Sequence, residues 1–145
     1  MLKTTCLSLA VVLGIAAEAN GLFMLISPQG WYLTIPGVPM SGPFNQHFVR
    51  DIGLVFLLLG AGFLIGVVRP GVRATVWATA TIWLTGHALF HLWQVVVGIS
   101  PLSDIQQDFM AVSLPALIGL GLTWWAFARP AAAPISRSAP ARAGA

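Results

Sequence analysis

Four long apolar stretches, separated by shorter polar or Pro- and Gly-rich connections, dominate the pattern of this 145-residue chain. They cover residues 5–26, 47–68, 74–98 and 108–128. Each is close to the ~20 residues that a helix needs to cross a bilayer. The pattern predicts an all-α fold, an integral membrane bundle of four antiparallel transmembrane helices.

Composition agrees with the membrane class. The chain is 57% apolar and only 8% charged, whereas a soluble domain carries about 25% charged residues. The net charge of +3 does not indicate nucleic acid, because every basic residue except Arg50 lies at a segment end or in the tail. We therefore expect the lipid bilayer as a partner, and no nucleic acid.

The basic residues also predict orientation. The Lys and Arg residues outside the segments alternate with two connections, 27–46 and 99–107, that contain neither residue type. The positive-inside bias then puts both termini in the cytoplasm and both of these connections outside. Ala17-Glu18-Ala19 also fits a signal-peptide cleavage site, but the apolar character continues to Ile26 and favours a complete span.

Two non-spanning regions differ in composition. Connection 27–46 is rich in Pro and Gly but includes Trp31 and Tyr32, which favour the headgroup level. We expect it to form an ordered cap on the outer interface. Residues 129–145 consist almost entirely of Ala, Pro, Ser and Arg, a composition that predicts a disordered cytoplasmic tail.

The titratable residues are concentrated in the outer half of the predicted bundle. Such groups are costly in lipid and usually face a bundle interior or a cavity. We therefore expect one shared polar or binding site. Its predicted members are Glu18, His47, Arg50, Asp51, His87, His91 and Asp108. Asp104 is expected instead to cap the helix that follows it.

His87 and His91 are the centre of this prediction. They lie one turn apart on a stripe that includes Trp83. The spacing allows them to chelate one metal ion, with His47 as a third ligand, or to bind a haem. Asp51, four residues after His47, could orient an imidazole, and Arg50 is expected to pair with a carboxylate.

Other residues predict helix packing. Gly14 and Gly21 share a face of the first segment, and Gly62 and Gly66 form a GxxxG pair in the second. Small residues of this kind allow close helix approach. Pro115 predicts a kink in the last segment.

The stretches Trp31–Val38 and Ser41–Gly53 resemble a motif of small bacterial four-helix inner-membrane proteins of unassigned function. Over residues 5–128 the architecture is similar to that of DoxX-like proteins. The resemblance implies a multi-pass protein of the bacterial inner membrane. Because some DoxX-like proteins are associated with quinone-linked thiosulfate oxidation and membrane redox complexes, it also implies a redox-accessory role. No catalytic residue is transferred from it.

Three functions stay open at this point. The first is an accessory or binding protein for a metal, a cofactor or a lipophilic small molecule. The second is an enzyme that performs acid–base or redox chemistry on a quinone or lipid. The third is a structural subunit whose polar network is buried against a membrane-protein partner or a second copy. Common nucleophile, nucleotide and zinc-protease motifs are absent from the sequence.

Overall fold

A computed structural model describes residues 1–129, and every regular element in that part of the chain is helical. The elements are α1 (Leu2–Ile26), α2 (Pro28–Thr34), α3 (Gln46–Val68), α4 (Arg73–Val96), α5 (Ser103–Asp108) and α6 (Leu114–Ala128). A short 3-10 turn, Val38–Met40, follows α2, and a π-helical turn, Phe109–Ser113, joins α5 to α6. The all-α prediction is confirmed over these residues. The predicted tail, apart from Arg129, lies outside them.

Three stretches within residues 1–129 are long and apolar enough to cross a membrane: Leu2–Ile26, Gln46–Val68 and Ser103–Ala128. This supports a helical membrane protein. The remaining long helix, α4, has 24 residues, but its Thr, His and Gln side chains lower its hydropathy below that of the other three. The helix that carries the two central histidines is thus the least apolar of the four.

α1 and α3 pack backbone against backbone at two glycine pairs. A Cβ atom added to Gly21 would lie 2.7 Å from the carbonyl oxygen of Gly53. A Cβ atom added to Gly60 would lie 2.8 Å from the carbonyl oxygen of Gly14. In lipid the hydrophobic effect does not drive helices together, because acyl chains are as apolar as the side chains. Membrane helices therefore associate through close van der Waals packing of this kind. The predicted role of Gly14 and Gly21 in helix approach agrees with these contacts.

α4 lies between α3 and α6. Gly62 faces the backbone of α4, since a Cβ there would be 3.4 Å from the Val76 carbonyl oxygen. On the other side, the Thr81 and Thr123 hydroxyls are 2.9 Å apart, and Gly119 leaves the space that Thr81 occupies. α6 returns to make a smaller contact with α1. The four long helices therefore form one bundle.

The end of the bundle where α3 turns into α4 is organised around a buried arginine. Arg73 donates from Nε to the Gly66 carbonyl oxygen at 2.7 Å and from Nη2 to that of Val67 at 3.1 Å. Its guanidinium carbon lies 5.5 Å from the ring centre of Trp77 and 5.6 Å from that of Trp125. The side chain thus caps the last carbonyls of α3 and joins α3, α4 and α6, a role that the sequence did not indicate.

The connection between α1 and α3, residues 27–45, is folded over these two helices. The indole N–H of Trp31 in α2 donates to the Asn20 side-chain oxygen at 2.9 Å, and the Tyr32 hydroxyl donates to the Gly42 carbonyl at 2.8 Å. Gly37 adopts a φ of 82°, a backbone conformation that favours glycine. A Cβ on Gly37 would also meet the Gln107 amide at 2.6 Å, so the connection reaches as far as α5.

The start of the last span differs from the sequence prediction. α5 begins at Ser103 and has no side-chain cap, so the prediction that Asp104 caps it is wrong. Asp104 lies instead in the first turn, where a carboxylate is favourable to the helix dipole. The kink at Pro115 stays a prediction, and the structure places a π turn that ends at Ser113 shortly before this residue. Pro115 has no N–H to continue a regular α-helical ladder, which favours a wider turn before it.

Candidate functional site

The structure distributes the predicted site residues over three places. One pair lies at the exposed start of α3. Two other residues lie along the contact between α1 and α3. The remaining residues meet between α4 and the α5–α6 connection. The groups are His47 with Asp51; Glu18 and Arg50; and His87, His91 and Asp108. The structure therefore does not assemble the single shared site that the sequence predicted.

His47 and Asp51 form an exposed pair on one face of α3. His47 Nε2 lies 3.2 Å from Asp51 Oδ2, and the two side chains are 89% and 55% exposed. The predicted orienting role of Asp51 matches this contact. Exposed i, i+4 pairs of this kind contribute little to stability. His47 does not join the other two histidines.

Arg50 and Glu18 are not paired with each other. Arg50 Nε donates to the Leu25 carbonyl oxygen at 3.2 Å, and no carboxylate within residues 1–129 forms an ion pair with it. The expected Arg50–carboxylate pair is therefore absent from the described chain. The Glu18 side chain lies against Gly60, where an added Cβ would be 2.9 Å from Glu18 Oε1. Glu18 thus occupies the space that the missing Gly60 side chain leaves.

A short polar contact joins α4 to α5. His91 Nδ1 lies 2.7 Å from Asp108 Oδ2, and the side chains are 30% and 25% exposed. Both residues were predicted site members, and Asp108 reaches the histidines from the last span as the sequence analysis expected. We call His87, His91 and Asp108 the imidazole site. Its partial exposure leaves it accessible from one side of the bundle.

Aromatic rings of α3 and α4 pack against the imidazole site. The His87 ring stacks on Trp83 with centres 4.9 Å apart and planes 18° apart. It meets His91 edge-on at 4.6 Å and 75°. Trp83 in turn contacts Phe56 of α3 edge-on at 5.3 Å. Stacked and edge-on contacts of this kind hold rings in defined orientations, so the position of His91 is supported from α3 through Trp83 and His87.

The π turn brings a further polar side chain to the site. Asp108 and Ser113 are five residues apart, a separation that places side chains about 140° apart around an α-helix. Here both line one small cavity of about 10 Å³, together with His91, Leu92, Val95 and Ile105. This volume is close to the minimum that one water molecule needs. Ser113 was missed because the sequence analysis assumed regular α-helical spacing; Pro115 was the available signal.

The geometry defines the acid–base capacity of His91. An ionised carboxylate only accepts hydrogen bonds, so beside an ionised Asp108 the Nδ1 atom of His91 carries the proton. In the neutral imidazole, Nε2 then keeps its lone pair and can accept a hydrogen bond or a proton. A carboxylate that fixes the tautomer of a histidine in this way is common at metal and catalytic sites.

The described residues fit a metal or haem poorly. No group of three or more His, Cys, Asp or Glu side chains within residues 1–129 has the arrangement of a metal site, since His47 lies apart from His87 and His91. The cavity beside His91 is also far smaller than the several hundred Å³ of a typical cofactor pocket.

In comparisons with known proteins, no protein-family model, curated protein or solved structure matches this chain.

Proposed function

We propose that all four long helices cross the membrane, with both termini in the cytoplasm. α4 supports this because it packs between α3 and α6, each of which belongs to a candidate span. A helix of 24 residues that runs beside two spans has the length to cross with them. Inside the bundle, the Thr81 hydroxyl of α4 is hydrogen-bonded to the Thr123 hydroxyl of α6, so this polar group of α4 does not face lipid unpaired. On this topology His87 and His91 lie about 21 Å and 27 Å from the inner end of α4, in the outer half.

We further propose that the protein is an accessory protein that binds a lipophilic small molecule at the imidazole site and exchanges a proton with its polar head. The 2.7 Å contact between His91 and Asp108 carries this proposal. It orients an imidazole at a membrane-embedded position that is one-quarter to one-third exposed. Intramembrane histidines and carboxylates generally mark functional sites.

Neighbouring rings favour a flat ligand. Phe90 and Trp93 stack on each other with centres 5.7 Å apart, and each is about half exposed. Phe90 also contacts His91 edge-on at 6.5 Å. Together they provide an apolar surface next to the His91 ring, on which a hydroxyl-bearing ring could lie while it donates a hydrogen bond to His91 Nε2. A quinol has this chemistry, which agrees with the redox-accessory role that the DoxX-like resemblance implies.

The test is to identify what co-purifies with the protein. The full chain would be purified in mild detergent beside His91→Ala, Asp108→Asn and the matched control His47→Ala. Organic extracts would be compared by mass spectrometry, with metal analysis and an absorption spectrum on the same samples. We expect one lipophilic compound at near-stoichiometric amounts in the wild type and in His47→Ala, and its loss from the other two.

An identical set of extracted compounds in all four samples would rule out the proposed binding site. A stoichiometric metal or a haem band that disappears only with His91→Ala would replace the lipophilic ligand by a cofactor. His47→Ala separates a specific effect from the mere loss of a histidine, because the His47 side chain is 89% exposed and does not contact the imidazole site.

One observation favours a second candidate, a structural subunit with a self-contained polar network. The cavity at the imidazole site has a volume of only about 10 Å³, so an enclosed ligand does not fit and binding must occur at the exposed edge. If the network is structural, His91→Ala should lower the unfolding temperature without changing any co-purified compound. The same preparations distinguish the two functions.

A further inference from the structure

Arg73 is a buried cation without a carboxylate beside it. The side chain is 8% exposed, and its two hydrogen bonds to the Gly66 and Val67 carbonyls satisfy donors but do not neutralise the charge. The ion pairs within residues 1–129 are His47–Asp51 and His91–Asp108, and both lie toward the opposite end. Buried charges are normally paired, so residues 1–129 supply no anion for Arg73 at this end of the bundle.

The remaining charges at this end do not supply one. Lys3, Arg69 and Arg129 are exposed there, and all four acids of the chain lie nearer the other end of their helices or in the outer connections. Exposed cations are sufficient for the positive-inside bias. The burial of Arg73 between two indole rings goes beyond what membrane orientation requires.

Trp125 provides an independent observation. The Trp77 indole N–H donates to the Phe63 carbonyl oxygen at 3.0 Å, but the buried Trp125 Nε1 atom has no acceptor among residues 1–129. The ring centre of Trp125 lies 5.6 Å from the guanidinium carbon of Arg73. Buried N–H groups without an acceptor are rare in folded proteins. The cluster of Arg73 and Trp125 thus contains both a cation without an anionic partner and an N–H donor without an acceptor, and a group with several anionic oxygens suits both.

We propose that this cluster of Arg73 and Trp125 binds the phosphate group of an anionic phospholipid in the inner leaflet. Phosphate oxygens match the donor geometry of a guanidinium, and basic sites between membrane helices on the cytoplasmic side bind acidic headgroups. Phe127, at the same end of α6, is 61% exposed and gives acyl chains an apolar surface. This proposal rests on the proposed topology and is independent of the imidazole site.

The experiment measures thermal unfolding of the full chain in detergent micelles. Phosphatidylglycerol, phosphatidylcholine or sodium phosphate would be added at matched phosphate concentrations. Arg73→Gln alone is unsuitable, because it also removes the cap of α3 and could prevent folding. Trp125→Phe removes the indole N–H and keeps an aromatic ring beside the guanidinium. Trp124→Phe, at the neighbouring exposed position, is the matched control.

We expect phosphatidylglycerol to raise the unfolding temperature more than phosphatidylcholine does in the wild type and in Trp124→Phe. Trp125→Phe should lose most of this difference. Equal effects of the two lipids on the wild type, or an undiminished difference in Trp125→Phe, would overturn the proposal. An equal effect of sodium phosphate would show that the site takes the free anion, and would overturn its assignment to a lipid.

Discussion

His91 on α4 and Asp108 at the end of α5 are joined by a 2.7 Å contact between Nδ1 and Oδ2. The two residues are seventeen positions apart in the chain, and the connection between α4 and α5 separates them. The contact therefore joins α4 to α5 across this connection. It also holds the carboxylate of the imidazole site against the His91 ring.

A double-mutant cycle on this pair should give a coupling free energy of about 0.5–1.5 kcal/mol, the range found for hydrogen bonds between membrane helices. His91→Ala and Asp108→Ala would be measured singly and together by reversible unfolding in mixed micelles. The same cycle on His47 and Asp51 should give less, because both side chains of that pair are largely exposed. Additive effects at His91 and Asp108 would contradict the contact.

The π turn Phe109–Ser113 is expected to hold Asp108 in register with His91. Inserting one Ala after Met110, whose side chain is 68% exposed, should rotate Asp108 by about 100° relative to α6. The insertion should therefore abolish the His91–Asp108 coupling free energy while leaving the Thr81–Thr123 contact intact. Deleting Met110 is the control, because it removes the extra residue of the π turn and leaves Asp108 and Ser113 about 40° apart on a regular helix, so the coupling should be kept. Retention of the coupling after the insertion would show that the register of the π turn does not position Asp108.

The main elements of the fold could be predicted from the sequence because they depend on local composition. Apolar runs of the right length gave the long helices within a few residues, and the small residues of α1 lie at the observed contacts with α3. The role of Arg73 could not be predicted in this way. Arg73 lies at a helix end, and the positive-inside bias is satisfied there by an exposed or a buried arginine alike. Its burial results from packing against Trp77 and Trp125, which the sequence does not reveal.

Part of the candidate site could also be predicted. The i, i+4 spacing of His87 and His91 was sufficient to place them together, with Trp83 on the same stripe. The inclusion of His47 failed for a geometric reason. Residues at one depth in a bundle need not share a face, and His47 lies on an exposed face of α3. Helical periodicity gives the face of each helix but not which faces meet.

The close contact between α1 and α3 should be sensitive to a single methyl group. In Gly21→Ala the new Cβ would lie 2.7 Å from the Gly53 carbonyl oxygen, and both groups belong to helix backbones that cannot move independently. We expect a loss of about 1–3 kcal/mol in the free energy of unfolding, as for other overpacked positions. Gly121→Ala has open space around the new atom and should be neutral or stabilising by up to about 1 kcal/mol. Equal losses for both variants would argue against backbone contact at Gly21.

The hydrogen bond from Trp31 to Asn20 should stabilise the packing of α2 against α1. Asn20 projects from α1 within its last two turns, and its side-chain oxygen accepts the indole N–H at 2.9 Å. In Asn20→Ala the indole donor loses its partner, so α2 should open more often although α1 itself remains helical. Hydrogen exchange of the backbone amides of α2 would then become faster, by about fivefold for a loss of about 1 kcal/mol. Gln29→Ala, which truncates an exposed amide on α2, should leave the exchange rates nearly unchanged. Unchanged exchange in Asn20→Ala as well would mean that the Tyr32 contacts with the Pro39 and Gly42 carbonyls hold the connection without it.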